Sequence, residues 1–249
     1  MRLQGKIYWL VGASEGIGAA LSLQLSDAGA VLILSARNEA ALQGVAARLT
    51  GPSRVLPLDL RDATAIEAAV KTAGRIDGLI YCAGAYKPMR ADEWDVAAAT
   101  EMIDVNFLAA TRLLGAAMPG FIAQDQGHIV LIGSLAGFMG LPGTIGYAAS
   151  KAGLMQLGEA MQMDLRGRPI QVQIINPGFV KTRLTDKNDF AMPFLMSPED
   201  AARRVLKAMR SGRLVTSFPL VFSLVFRLGR LLPPRLRVAI FAARDATRH

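Results

Sequence analysis

Short apolar runs and longer amphipathic stretches alternate along this chain almost from its first residues. The runs are Lys6-Ile-Tyr-Trp-Leu-Val11, Val31-Leu-Ile-Leu34, Arg54-Val-Leu-Pro-Leu58, Gly78-Leu-Ile-Tyr81, His128-Ile-Val-Leu-Ile-Gly133, Ile170-Gln-Val-Gln-Ile-Ile175 and Leu214-Val-Thr-Ser217. Each has the length and residue types of a strand. Between them Ile17, Leu21, Leu25 and Ala28 recur at helical spacing and stop at Gly29. The same periodicity predicts helices from about Glu39 to Leu49, from about Ala63 to Ala73, through a long stretch from Met102 to Ala123, around Tyr147 and Lys151, and from Pro198 to Arg210. Seven strand candidates alternating with helices predict an α/β fold, a doubly wound, mainly parallel seven-stranded sheet with helices on both faces. Right-handed crossovers then place a ligand at the carboxyl ends of the strands.

The 249 residues suffice for one large α/β domain or two small ones, and no Pro/Ser linker or repeat divides them. A single domain is expected over residues 1–217, followed by a basic tail over 218–249. Cys82 is the only cysteine, so no intramolecular disulfide can form and nothing requires an oxidising compartment. The first strand starts within a few residues of the N-terminus, leaving no room for a signal peptide, and a cytoplasmic location is expected. His128 and His249 are the only histidines, there is no Cys/His cluster, and no metal site is expected.

Two stretches carry candidate chemistry. Gly12-Ala-Ser14-Glu15-Gly16-Ile17-Gly18 follows the first strand and opens the first helix. Glycines permit a tight turn and close backbone approach, and the helix N-terminus offers free N–H groups and a positive dipole end to a pyrophosphate. Such a turn can also be purely structural. Tyr147 and Lys151, four apart at the start of a helix, project from one face about one turn apart. An ammonium beside a phenol favours the phenolate, which makes the pair a proton-transfer candidate; the alternative is an ordinary surface helix start. Ser134 ends a strand candidate 13 residues earlier, where a loop can return its hydroxyl to the phenol. Asn106 is a polar residue inside an otherwise apolar helical stretch.

Gly12-x-x-x-Gly16-x-Gly18, Ser134, Tyr147-x-x-x-Lys151 and Asn176-Pro177-Gly178 stand in the order and at the spacings of the short-chain dehydrogenase/reductase family, which the chain resembles from about residue 5 to about residue 217. The resemblance implies a Rossmann-type fold and hydride transfer between a nicotinamide and a carbonyl or carbinol carbon, in a protein that is a homo-oligomer, dimer or tetramer. It implies that Tyr147 is the acid/base, that Lys151 lowers its pKa and holds the nicotinamide ribose, that Ser134 binds the substrate oxygen and that Asn106 maintains a proton relay. It further implies that Asp59 and Leu60 contact the adenine, although Asp59 can equally be a helix cap. Ala83 and Gly84 then lie against the cofactor ribose, and Pro177 and Gly178 close over the nicotinamide with Val180 and Thr182 near its carboxamide. Where relatives usually have Asn-Asn-Ala-Gly this chain has Tyr81-Cys82-Ala83-Gly84, which alters the bracing of the sheet more than the chemistry.

Cofactor choice turns on Ser35-Ala36-Arg37-Asn38. An acidic residue there would bind the ribose hydroxyls of NAD and repel a 2′-phosphate, whereas the Arg37 guanidinium suits a phosphate, so NADP(H) is favoured over NAD(H). Glu15 weighs against this, because many NADP-preferring relatives carry a basic residue near it. Residues 178–197 are expected to form a substrate lid. Its Phe190, Met192, Phe194, Leu195 and Met196, with Phe138, Met139 and Leu141, predict an apolar pocket for a lipophilic ketone or alcohol.

Residues 203–249 carry 11 Lys or Arg against one acid, Asp245, which accounts for the net charge of +8 of the whole chain. Within Leu220 to Leu232, Ser223, Arg227 and Arg230 share one helical face and apolar residues fill the rest. Pro233-Pro234 breaks the helix and Leu236-Arg-Val-Ala-Ile-Phe241 repeats the pattern. No run there approaches the ~20 apolar residues of a spanning helix. The tail is read either as an in-plane helix on an anionic membrane, at its inner face, or as a segment packed on a sister subunit. Nucleic acid is not an expected partner, because the charges alternate with aliphatics rather than stacking aromatics. A catalytically idle nucleotide-binding protein that docks through this tail is the alternative function.

Overall fold

The computed structural model describes residues 3–188 and 190–242. Seven strands form one sheet: β1 (Ile7–Val11), β2 (Val31–Ser35), β3 (Ser53–Val55), β4 (Gly78–Tyr81), β5 (Gly127–Ile132), β6 (Ile170–Pro177) and β7 (Val215–Phe218). Their order is β3-β2-β1-β4-β5-β6-β7 and every pairing is parallel. The chain therefore winds outward from β1 to β3, returns to β4 beside β1, and winds outward the other way. The carboxyl ends of β1 and β4 splay their connections apart, and a crevice opens there.

Successive side chains of a strand face opposite layers. Tyr8 and Leu10 of β1, Leu32 and Leu34 of β2, and Val130 and Ile132 of β5 pack with Leu21 and Leu25 of α1 (Gly16–Asp27) and Val205 and Met209 of α7 (Pro198–Ser211). Trp9, Val11, Ile33, Leu79 and Leu131 pack on the other face. Their partners are Ile66 of α3 (Ala63–Ala73), Leu113 and Phe121 of α5 (Ala109–Ala123) and Leu154 of α6 (Ile145–Asp164). The expected doubly wound α/β architecture is thus present, in a single domain, with α2 (Glu39–Ala46) completing the first layer.

Three differences from the sequence expectation have local causes. The strand expected over Arg54 to Leu58 ends at Val55; Leu56 and Leu58 N–H still donate to Leu34 and Ala36 carbonyls, but Pro57 between them has no N–H to give. The helix expected from Met102 starts earlier, as α4 (Val96–Ile103), because Asp95 caps it by accepting from Ala98 N–H. A π turn at Asp104–Leu108 then joins α4 to α5. The whole 96–123 stretch is long and apolar enough to span a bilayer, yet Met102, Asn106, Leu113 and Phe121 are buried inside this fold.

The third difference concerns the tail. Two helices, α8 (Leu220–Leu231) and α9 (Pro234–Ala242), flank the expected proline break, and residues 243–249 of the tail lie outside the described residues. Ser223 is not on a solvated face. It is fully buried with Phe226 and Gly229, its hydroxyl donating to the Leu220 carbonyl, because this small side lets α8 sit on the loop bearing Leu135 and Met139. Leu220, Val221, Leu224, Val225, Leu228 and Leu231 consequently face outward.

Candidate active site

The crevice at the carboxyl ends of β1 and β4 is a cleft of about 580 Å³. Its floor is the turn between β1 and α1. Gly12 lies so close to β4 that a Cβ on it would stand 2.5 Å from the Ala83 nitrogen, and one on Gly18 would stand 1.9 Å from the Gly12 carbonyl oxygen. Gly12 and Gly16 also hold φ of +92° and +54°, where side chains are strained. Glu15 precedes the first turn of α1 without capping it through its side chain, and no acid occupies that turn. The leading N–H groups of α1 are therefore not capped by a carboxylate, which fits the pyrophosphate of a dinucleotide.

The cleft is lined by Gly12, Ser14, Glu15, Gly16, Ile17, Gly18, Arg37, Asp59, Leu60, Ala83, Gly84, Ser134, Tyr147, Lys151, Pro177, Gly178, Val180 and Thr182. Asn106 stands behind this wall, fully buried. Its Nδ2 donates to the Ala85 carbonyl and to Ser150 Oγ, both at 2.9 Å, and its Oδ1 accepts from Ala85 N–H at 2.7 Å. The π turn is what aims it there, since the extra residue of a π turn rotates one side chain out of α-helical register.

At the β5 end of the cleft Ser134 and Tyr147 are hydrogen-bonded through their side chains. Ser134 is held by starting a short 3₁₀ turn, where its Oγ accepts from Ala136 N–H. The Tyr147 ring packs edge-on against Tyr86, with centroids 4.9 Å apart. Lys151 is buried on the turn after Tyr147 and its Nζ donates to the Ile132 carbonyl at 2.9 Å. Burial pushes the Tyr147 hydroxyl above its ordinary range, opposed by the Ser134 hydrogen bond. Burial likewise lowers Lys151 to about 8, opposed by Cys82, and raises the Cys82 thiol to about 11. The lysine was expected to lower the tyrosine. The net shift is nonetheless upward, because burial outweighs the Ser134 hydrogen bond, and the phenol keeps its proton at neutral pH.

At the opposite end, Asn38 caps α2 by accepting from Ala41 N–H, leaving Arg37 at the cleft edge. Asp59 is not a helix cap. It pairs with Arg61 at 2.6 Å, whose hydrogen bonds hold its carboxyl near 2, while Asp62 caps α3. Glu15 is paired at 2.6 Å with Arg183, which the sequence reading missed. Tyr86 was missed as well: its hydroxyl donates to Asn188 Oδ1 and its carbonyl accepts from Lys187 Nζ, which joins the segment after β4 to the lid. An aromatic two residues beyond Gly84 was the available signal for Tyr86; nothing local marks Arg183.

The lid segment closes on itself, with Val180 and Met196 bridged, Met196 N–H donating to the Phe179 carbonyl and Lys181 N–H to the Met196 carbonyl. Phe138, Met139 and Leu141, expected in the substrate lining, pack instead with Phe222, Phe226 and Phe241 of the tail. Among the described residues no group of three His, Cys, Asp or Glu is placed to hold a metal.

Residues 6–191 match the family model described as short chain dehydrogenase. An uncharacterized oxidoreductase of Myxococcus xanthus is 36% identical over 231 residues, covering 90% of this chain and 91% of its own. The 3-oxoacyl-[acyl-carrier-protein] reductase FabG of Thermotoga maritima is 32% identical, covering 86% of each chain. Among solved structures, a short-chain dehydrogenase from Sphingobium yanoikuyae in complex with NADPH superposes with a TM-score of 0.80 at 27% identity, over 97% of this chain and 94% of its own.

Proposed function

Because the chain belongs to the short-chain dehydrogenase/reductase family of NAD(P)-dependent oxidoreductases, we propose that it uses NADP(H) to interconvert a lipophilic ketone and its secondary alcohol. The observation that carries this reading is the half-buried Tyr147, its hydroxyl held by Ser134, in the same cleft as the N-terminus of α1, whose Glu15 is paired with Arg183.

The bound nicotinamide would supply the hydride in the reducing direction and accept it in the other. Tyr147 Oη, kept protonated by burial, donates to the carbonyl oxygen as negative charge develops there. Ser134 Oγ orients that oxygen and shares its hydrogen bond. Lys151 Nζ, already at the β5 end of the cleft, holds the ribose and stabilises Tyr147 Oη once its proton has left. Asn106 fixes the Ala85 backbone and Ser150 behind the lysine, where a relay to solvent would run. The 2′-phosphate of NADP(H) would be met by Arg37, while Arg183 neutralises Glu15 and Arg61 neutralises Asp59, the two acids of the lining. The NADPH bound in the Sphingobium structure and the 3-oxoacyl substrate named for the Thermotoga relative support the two halves of this assignment.

The test is consumption of NADPH, and separately NADH, by purified protein with a panel of long-chain ketones. Turnover with NADPH is expected, reduced by about 10² or more in Tyr147→Phe, the contribution of a positioned acid, without loss of NADPH binding. Arg37→Glu should reverse the preference toward NADH. NADPH binding without turnover on any ketone would overturn the oxidoreductase assignment in favour of an idle nucleotide-binding protein.

A further inference from the structure

The outer face of α8 is apolar along its whole length and, among the described residues, nothing covers it: Leu224 and Leu228 are 44% and 59% exposed. A contiguous patch of this kind marks an interaction surface. Two features identify what it meets. Residues 214–242 contain four arginines, among them the exposed Arg230 and Arg235, and no acid, so the surface around the apolar face is cationic and suits acidic headgroups beside buried acyl chains. A second copy related by a twofold axis would bring the same apolar strip together with the same arginines, like charge against like.

The face is also continuous with the substrate lid. Phe222, on the flank of α8, meets Phe194 of the lid at 5.8 Å between centroids and Phe179 at 5.7 Å. Phe194 and Leu195 of the lid are themselves 57% and 43% exposed. The Gly178 turn beside the cleft touches the same helix, since a Cβ on it would stand 3.4 Å from Phe222. The lid and the outer face of α8 thus form one apolar surface around the mouth of the site.

We infer that α8 and α9 seat in plane on an anionic lipid bilayer, with their leucines among the acyl chains and their arginines at the headgroups. The lid then lies at the membrane surface and a lipophilic substrate enters from the bilayer. The entry route rests on the ketone-reductase reading; the docking does not.

The full-length protein should co-sediment with vesicles of mixed phosphatidylglycerol and phosphatidylcholine about tenfold better than with phosphatidylcholine alone, because each arginine near an anionic surface adds attraction. The double variant Leu224→Glu/Leu228→Glu should lose about tenfold or more of that binding, with turnover of a short water-soluble ketone unchanged. A second, wholly surface variant, Arg230→Glu/Arg235→Glu, should lower binding to the anionic vesicles and leave phosphatidylcholine binding unaltered. Failure of the wild type to bind anionic vesicles, or equal binding by wild type and variants, overturns the inference. So does light scattering that shows a wild-type oligomer split by the leucine substitutions, which would assign the face to a second copy. Vesicle binding by a protein that turns over no ketone would sustain the docking and refute the oxidoreductase reading.

Discussion

Acid should weaken this fold through one buried imidazole. His128 on β5 is 1% exposed and stands between Tyr8 of β1 and Gln173 of β6, each at 2.8 Å. The Gln173 amide nitrogen donates to the Ala208 and Arg213 carbonyls, so its Oε1 must accept from His128 Nε2–H. That fixes the tautomer: Nδ1 carries the lone pair and accepts from the Tyr8 hydroxyl. A second proton on the ring would need a dry site to hold a cation and would turn Nδ1–H against that hydroxyl. Burial accordingly pushes His128 from 6.5 down to about 4, opposed by the Gln173 hydrogen bond.

Between those two pH values the unfolded chain binds a proton that the folded chain refuses, so stability falls as pH is lowered through the window. Each pH unit removes about 1.4 kcal/mol, and the passage from 6.5 to about 4 removes about 3 kcal/mol, a large part of the 5–15 kcal/mol of an ordinary domain. Above the unfolded value the imidazole is neutral in both states and its effect vanishes. Urea unfolding of the wild type and of His128→Gln from about pH 7 to about pH 4.5 isolates this contribution, because carboxylates such as the Lys6-paired Asp77 act alike in both proteins and cancel. Glutamine can accept from Tyr8 and donate to Gln173 without titrating. The wild-type curve should be steeper by about 1 kcal/mol per pH unit below pH 6. Parallel curves, or an imidazole resonance titrating near its ordinary value, would refute the argument.

Two further outcomes follow from the geometry. Gly18→Ala places a Cβ 1.9 Å from the Gly12 carbonyl oxygen, backbone against backbone, so the loop must move: nucleotide binding should be lost to calorimetry, with destabilisation of about 1–3 kcal/mol or more. Ser197→Ala removes the hydroxyl that accepts from Asp200 N–H at 3.0 Å at the start of α7, and should cost about 1 kcal/mol, a fall in Tm of about 2–4 °C, with NADPH affinity unchanged.

The order of strands and helices was legible because each element bears a local signature. Parallel strands appear as short apolar runs, and helices as apolar residues three and four apart, as in the first helix, which closes at Gly29. The glycine turn and the Tyr147–Lys151 step are legible for the same reason: both are spacings within a single element, and the fold carries them into one cleft. The π turn that aims Asn106 was hidden, since a single added residue barely disturbs the hydrophobic period on either side.

The sequence by itself determined which residues form strands, which form helices, and which turn can approach a phosphate closely, because these depend on backbone conformation and side-chain period over a few residues. Tertiary structure alone decided how charges and surfaces are spent. Glu15 finds Arg183 from 168 residues away, and Tyr86 finds Asn188 from 102. Asp59 turns to Arg61 and leaves the helix cap to Asp62. The tyrosine that spacing places beside a cation is half-buried in the cleft wall, where burial outweighs the Ser134 hydrogen bond, so its proton is held rather than released. The basic tail turns Ser223 inward and its leucines outward, because a helix of either polarity has the same period and only the shape of the surface beneath it selects which side is buried.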